Sequence, residues 1–289
     1  MKPGPAGAPP SALLPVAALV AGMVSIQAGA SLAKSLFPLV GATGVTALRV
    51  GFSALILAAI WRPWRRSATL RDIGAIALYG AALGAMNLLF YLSLRTIPLG
   101  IAVAVEFVGP LGLAIAASRR AADFAFIGLA VLGLGLLLPL DGGTALDPAG
   151  IALALAAGLC WALYILFGQR AARIDGGLAV SLGMSVAALV TLPFGLVQAG
   201  QALLSPAVLA LGLAVAVLSS ALPYSLEMFA LGRLDRQVFS VLMSLEPAVA
   251  ALCALTLLGE RLTALQWLAI GCVVTASAGI AGRSRRHAA

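Results

Sequence analysis

Three ionisable side chains fall deep inside apolar stretches of this chain, and chemistry is most readily expected there. Glu106 lies near the middle of the apolar run 98–117, Glu246 near the middle of 238–258, and Arg49 within 44–61. At the centre of a membrane span such a group costs on the order of 2.5–3.5 kcal/mol on insertion scales, so it faces a cavity or a partner rather than lipid. Arg49 calls for an anion, which is either Glu106 in a fixed ion pair between two helices or the carboxylate of a ligand. Lys34, near the end of the run 13–34, either snorkels to the interface or meets the same anion. Gln27, Asn87, Tyr91 and Tyr224 add hydrogen-bonding groups, each able to bridge helices or to contact a ligand. Glu227 stands near Arg233 and reads as half of an interfacial ion pair.

The missing parts matter as much. The single histidine, His287, sits in the basic tail, so no histidine-assisted nucleophile or histidine metal site is expected within the apolar runs. No Gly-rich Lys-Ser/Thr phosphate loop occurs, so nucleotide-driven pumping would need another subunit. Cys160, Cys253 and Cys272 lie far apart inside apolar runs without metal-ligand spacing and read as core residues. Neither an enzyme nor a cofactor or metal is expected.

The elements that must position these groups follow from composition. Of 289 residues 62% are hydrophobic and only 10% charged, against roughly 25% charged in soluble domains. A soluble enzyme or binding module is excluded. Gly counts 32 while aromatics are 6%, which suits closely packed helices rather than a barrel with aromatic girdles. Apolar runs lie near 13–34, 44–61, 73–93, 98–117, 124–140, 149–168, 178–198, 207–227, 238–258 and 264–281. Each predicts a helical span, because a lipid-exposed backbone must satisfy its hydrogen bonds within its own helix. Ala28-Gly29-Ala30 resembles a signal-peptidase site, but only Lys2 precedes the apolar run, and the first helix is read as retained.

With both termini in the cytoplasm, the cytoplasmic segments hold Lys2, Arg62, Arg65, Arg66, Arg71, Arg119, Arg120, Arg170, Arg173, Arg233, Arg236, Arg283, Arg285 and Arg286. The opposite side holds only Arg95 and Arg261, a consistent positive-inside bias. The net charge of +8 is therefore a matter of topology, and nucleic-acid binding is not expected. At an offset of 137 residues Pro110 falls on Pro247, Asp123 on Glu260, and Leu83–Thr96 on Ser220–Arg233. Such an offset spans five helices, and an odd number inverts the second copy, as in many secondary transporters. The chain is thus expected to be an all-α polytopic membrane protein of ten transmembrane helices in two inverted five-helix repeats. Its expected parts are a disordered tail (1–12), repeats at 13–143 and 144–282, and a basic tail (283–289). Spans one to four and six to nine are expected to line a central cavity, with five and ten outside it. Pro110, four residues beyond Glu106, and Pro247, directly after Glu246, predict local unwinding beside both carboxylates.

Several blocks then become familiar. Gly29-Ala30-Ser31-Leu32-Ala33-Lys34-Ser35-Leu36-Phe37-Pro38-Leu39-Val40-Gly41, Gly44-Val45-Thr46-Ala47-Leu48-Arg49 and Pro98-Leu99-Gly100-Ile101-Ala102-Val103-Ala104-Val105-Glu106-Phe107 resemble the EamA branch of the drug/metabolite transporter superfamily. So do Cys160-Trp161-Ala162, Ala221-Leu222-Pro223-Tyr224-Ser225-Leu226-Glu227-Met228, Ser244-Leu245-Glu246-Pro247-Ala248 and Leu258-Gly259-Glu260. The resemblance implies a ten-helix inverted repeat, a multi-pass place in the bacterial inner membrane, and proton-linked efflux of small hydroxylated amino acids, threonine and homoserine. A zwitterionic substrate of that kind predicts roles. Arg49, with Lys34 second, meets the carboxylate; Glu106 or Glu246 meets the ammonium and carries the proton; Asn87 or Gln27 reads the hydroxyl, with Tyr91 and Tyr224 as further contacts. The alternatives are export of drugs or other metabolites and, more remotely, a membrane-embedded enzyme. The expected partners are amino-acid substrate, protons and lipid.

Overall fold

The computed structural model describes residues 13–117, 123–137, 146–172, 176–231, 233–234 and 242–283, and the regular elements among them are helical. The expected tails, with Lys2, and Arg119, Arg120, Asp141, Arg173 and Arg236 lie outside the described residues, and of Tyr224, Glu227 and Asp123 only the backbone is described.

The N-terminal half holds α1 (Leu13–Ser35), α2 (Phe37–Trp61), α3 (Leu70–Ser93), α4 (Leu99–Glu106), α5 (Val108–Ala117) and α6 (Asp123–Leu137). After them come α7 (Pro148–Ala172), α8 (Gly176–Ala199), α9 (Pro206–Ala216), a π-helical turn (Val217–Ala221), α10 (Leu222–Leu231), α11 (Glu246–Leu257) and α12 (Ala264–Arg283). Local sequence sets several boundaries. Thr69 and Asp72 form a reciprocal capping box that starts α3, satisfying N–H groups that have no intrahelical partner. Within α2 the backbone breaks at Gly41, whose φ of 67° lies in the left-handed region open to glycine. Beyond the break, Gln198 Oε1 accepts from the Thr43 N–H at 3.0 Å and from Thr43 Oγ1 at 2.6 Å, capping the resumed helix from α8.

Of these helices α1, α2, α3, α7 and α8 are long and apolar enough to cross a membrane, while α9, α11 and α12 contain shorter apolar segments. Two expected single spans are each found in pieces. The run 98–117 divides into α4 and α5 at Phe107, and the run 207–227 into α9 and α10 around the π turn. A turn at Ser244–Leu245 also precedes α11. The interruptions at Phe107 and Ser244 are 137 residues apart.

Packing runs mainly between the two halves. α1 lies against α10 and α11, α2 against α8 and α9, α3 against α7 and α8, α4 against α7 and α11, and α6 against α12. Small residues permit the closest approaches. At the crossing of α5 and α7, a Cβ on Gly109 would collide with the Gly158 backbone, and one on Gly158 with the Glu106 carbonyl. Leu55, Leu78, Leu159, Leu189, Val197, Leu252 and Leu268 point outward and exposed, the surface expected where lipid rather than water is the solvent. Cys253 and Cys272 are buried free thiols and Cys160 a half-buried one.

Candidate functional site

Proline and the π turn together open the backbone beside the centre of the bundle. Pro223 has no N–H to donate, which leaves the Ser219 carbonyl without its partner one turn on. In the π turn the Leu222 N–H reaches back to the Val217 carbonyl, leaving the Leu218 carbonyl free as well. Two other helices take up both groups. Ser25 Oγ on α1 donates to the Leu218 carbonyl at 2.7 Å, and Arg49 Nη2 on α2 donates to the Ser219 carbonyl at 3.2 Å. Pro110 likewise removes the donor that the Glu106 carbonyl would have had, and Pro247 that of Met243.

Arg49 is held in place by neutral groups. Its Nη1 donates to Asn87 Oδ1 at 2.5 Å, its guanidinium lies 5.3 Å from the centre of the Tyr91 ring, and Nε has no partner among the described residues. The Asn87 amide is fixed by donating to the Leu83 carbonyl at 2.9 Å, which turns Oδ1 toward the guanidinium. Tyr91, wedged between Phe37 and Phe90, keeps its ring beneath the cation. Neither Glu106 nor Glu246 comes within 4 Å of Arg49 as an ion pair; the one described salt bridge is elsewhere.

These groups converge on a cavity of about 240 Å³. Its wall includes Gln27 from α1, Arg49 from α2, Asn87 and Tyr91 from α3, Glu106 from α4, Trp161 and Tyr164 from α7, Ser219 from the π turn, and Glu246 from α11. Glu106 and Glu246 are each 6% exposed. Gln27 Nε2 donates to Glu246 Oε1 at 3.4 Å, a long contact that ties α1 to α11. Four buried polar atoms on the wall have no hydrogen-bond partner among the described residues: Gln27 Oε1, Arg49 Nε, Tyr91 Oη and Ser219 Oγ. Buried polar groups are ordinarily satisfied, so four such atoms around one cavity give it polar capacity that water or a polar ligand can use.

Six of the residues singled out from sequence, Gln27, Arg49, Asn87, Tyr91, Glu106 and Glu246, therefore meet in one place. Lys34 does not join them. It pairs with Glu260 Oε1, whose other oxygen accepts the Leu99 N–H at 2.9 Å at the start of α4. The Tyr224 side chain lies outside the described residues. Trp161, Tyr164, Ser219, Met86 and Met243 were not anticipated. The one local signal for Ser219 is Pro223 four residues on. α6 and α12 contribute nothing to the described wall, and neither does α8, which the sequence had placed among the lining spans.

Known proteins carry much of this sequence. Residues 148–282 match the EamA-like transporter family. The threonine/homoserine exporter RhtA of Escherichia coli (strain K12) is 55% identical over 267 residues, 92% of this chain and 90% of that protein. The threonine/homoserine exporter RhtA of Salmonella typhimurium (strain LT2) is 54% identical over 275 residues, 95% and 93% of the two chains. A solved crystal structure at 20% identity superposes with a TM-score of 0.57 over 94% of this chain and 99% of the other, a likeness of fold alone.

Proposed function

The chain belongs to the EamA-like transporter family, and from that premise we propose that it exports small hydroxylated amino acids, threonine and homoserine, from the cytoplasm in exchange for protons. It is a transporter rather than an enzyme, and a multi-pass inner-membrane protein. The observation that carries the substrate reading is a guanidinium held only by neutral groups, sharing a cavity with two nearly buried carboxylates and four unsatisfied polar atoms. An amino acid fits that set. Its carboxylate pairs with Arg49, its ammonium with Glu106 or Glu246, and its side-chain hydroxyl with a neutral polar group of the wall.

Coupling follows from competition. A carboxyl taken out of water holds its proton, while an arriving ammonium favours the ionised form, so substrate and proton exclude one another from one glutamate. Alternating access of that site to the two sides makes the exclusion an antiport. The architecture proposed for it is ten spans in two inverted repeats, 13–143 and 144–282, with both termini cytoplasmic. The charge distribution along the sequence and the 137-residue spacing of the breaks at Phe107 and Ser244 support this reading.

Trp161, Tyr164, Phe90 and Tyr91 give the cavity an aromatic side, which on its own would suit a flat lipophilic cation. Arg49 in the same small space disfavours that ligand. The deciding experiment is efflux from proteoliposomes under an imposed pH gradient, with labelled threonine, homoserine, valine and a lipophilic dye cation as cargo. The expected result is gradient-driven efflux of the two hydroxylated amino acids. Efflux of the dye and of neither amino acid would replace this function with the drug-export alternative.

A further inference from the structure

A β-hydroxyl is carried on the second carbon from the carboxylate carbon, so the group that reads it must stand beside the group that holds the carboxylate. Asn87 is beside Arg49, but each end of its amide already has a partner, Oδ1 accepting from the guanidinium and Nδ2 donating to the Leu83 carbonyl. Gln27 donates its Nε2 to Glu246, an acceptor proposed for the ammonium, and its unpartnered Oε1 belongs to that same amide and can only accept. Ser219 stands where the reader is needed. Its own carbonyl accepts from Arg49 Nη2, the residue lines the same cavity and is 1% exposed, and its hydroxyl has no partner among the described residues.

The hydroxyl's freedom is unusual. Buried Ser31, Thr46, Ser53, Ser181 and Thr191 each bond the carbonyl one turn earlier in their own helix, as hydroxyls within helices commonly do. Ser219 sits instead in the π turn, the kind of one-turn irregularity that recurs at functional sites. Its Oγ is seated against Gly29 of α1, where a Cβ would collide with it. A missing side chain on one helix and a π turn on another thus leave an unpaired hydroxyl on the residue whose carbonyl holds the guanidinium.

We propose that Ser219 is the residue that selects for a side-chain hydroxyl on the substrate, by exchanging a hydrogen bond with it while its carbonyl positions Arg49. The inference rests on the amino-acid-export reading above. Its test compares labelled threonine with labelled L-2-aminobutyrate, which is threonine without the hydroxyl, in proteoliposomes of wild-type, Ser219→Ala and Ser219→Cys protein. A neutral hydrogen bond predicts that Ser219→Ala lowers the preference for threonine by about three- to tenfold through threonine alone. Ser219→Cys, with a weaker donor of similar volume, should fall between, and it decides the matter if the alanine variant fails to reach the membrane. An unchanged preference in a wild type that does favour threonine overturns the inference and leaves the export reading standing. Equal loss of both substrates overturns it in favour of a structural role, and a preference removed by Tyr91→Phe instead assigns the role to the other unpaired hydroxyl. A wild-type protein that moves neither amino acid overturns the export reading and this inference together.

Discussion

Arg49 and Lys34 are both cations on helices of the N-terminal half, and they are held in opposite ways. Lys34, at the end of α1, has a carboxylate beside it, and that carboxylate also caps α4, whose N-cap residue Pro98 offers no side-chain cap. Charge is neutralised on the spot, and three separate parts of the chain are tied together. Arg49 is held by an amide oxygen, a main-chain carbonyl and a ring face, none of which carries a charge. A cation with its own carboxylate is a fastener, whereas one positioned by dipoles has no fixed counter-ion, as the proposed carboxylate site requires. From sequence alone the two looked like first and second candidates for one role.

The largest expected difference between the two regions comes from removing each cation. Truncating one side of a buried, hydrogen-bonded charge contact costs roughly 2–5 kcal/mol, so Arg49→Ala should lower threonine efflux by roughly 30-fold or more while the protein still inserts. Lys34→Met should not produce that loss. Parallel efflux assays check this, and equal loss in the two variants would put the two cations in the same role. Next in size is the coupling test. Glu106→Gln and Glu246→Gln, assayed separately, should include one variant whose efflux no longer responds to the pH gradient. Normal coupling in both would dismiss a carboxylate mechanism.

A smaller effect is expected at the fastener. A partly exposed pair contributes about 1 kcal/mol or less, so Lys34→Met, Glu260→Gln and the double variant should lower thermal stability slightly and non-additively. Threonine affinity should stay put, and a change in affinity without one in stability would move Lys34 into the site. The smallest effect lies at the loop before α7, where Thr96 and the Ala149 N–H stabilise ionised Asp147 and hold its carboxyl below the ordinary aspartate value. A carboxyl lowered by folding adds stability that is complete above the ordinary value of about 3.8 and is lost as pH falls through its folded value. Thr96→Val should reduce that contribution, visible as a smaller acid-induced drop in melting temperature.

What could be read beforehand was chemical type, and what could not was pairing. Gln27, Arg49, Asn87, Tyr91, Glu106 and Glu246 stand out in a sequence because polar groups in apolar runs are expensive, and they share one cavity. Trp161 and Tyr164 carry no such mark, since an aromatic residue in an apolar run is ordinary core. Lys34 finds Glu260 across 226 residues, and nothing local announces that meeting. Helical character was legible throughout. The interruption near Phe107 was signalled by Pro110, whereas the π turn had only Pro223 to hint at it, and a proline alone does not say whether a helix bends, breaks or widens.

The crossing of α5 and α7 bears on which mutations a gene of this kind can absorb. Along the lipid face one leucine can drift to another apolar residue with little consequence, because the solvent there is itself a hydrocarbon. At Gly109 and Gly158 the main chains touch with no room for a single methyl group, and Glu106 is next to the contact. Of the twenty amino acids one fits at each place. Random variation should therefore accumulate on the outside of the molecule and be purged at two inconspicuous glycines, which carry no chemistry of their own yet set how near a carboxylate-bearing helix stands to its neighbour.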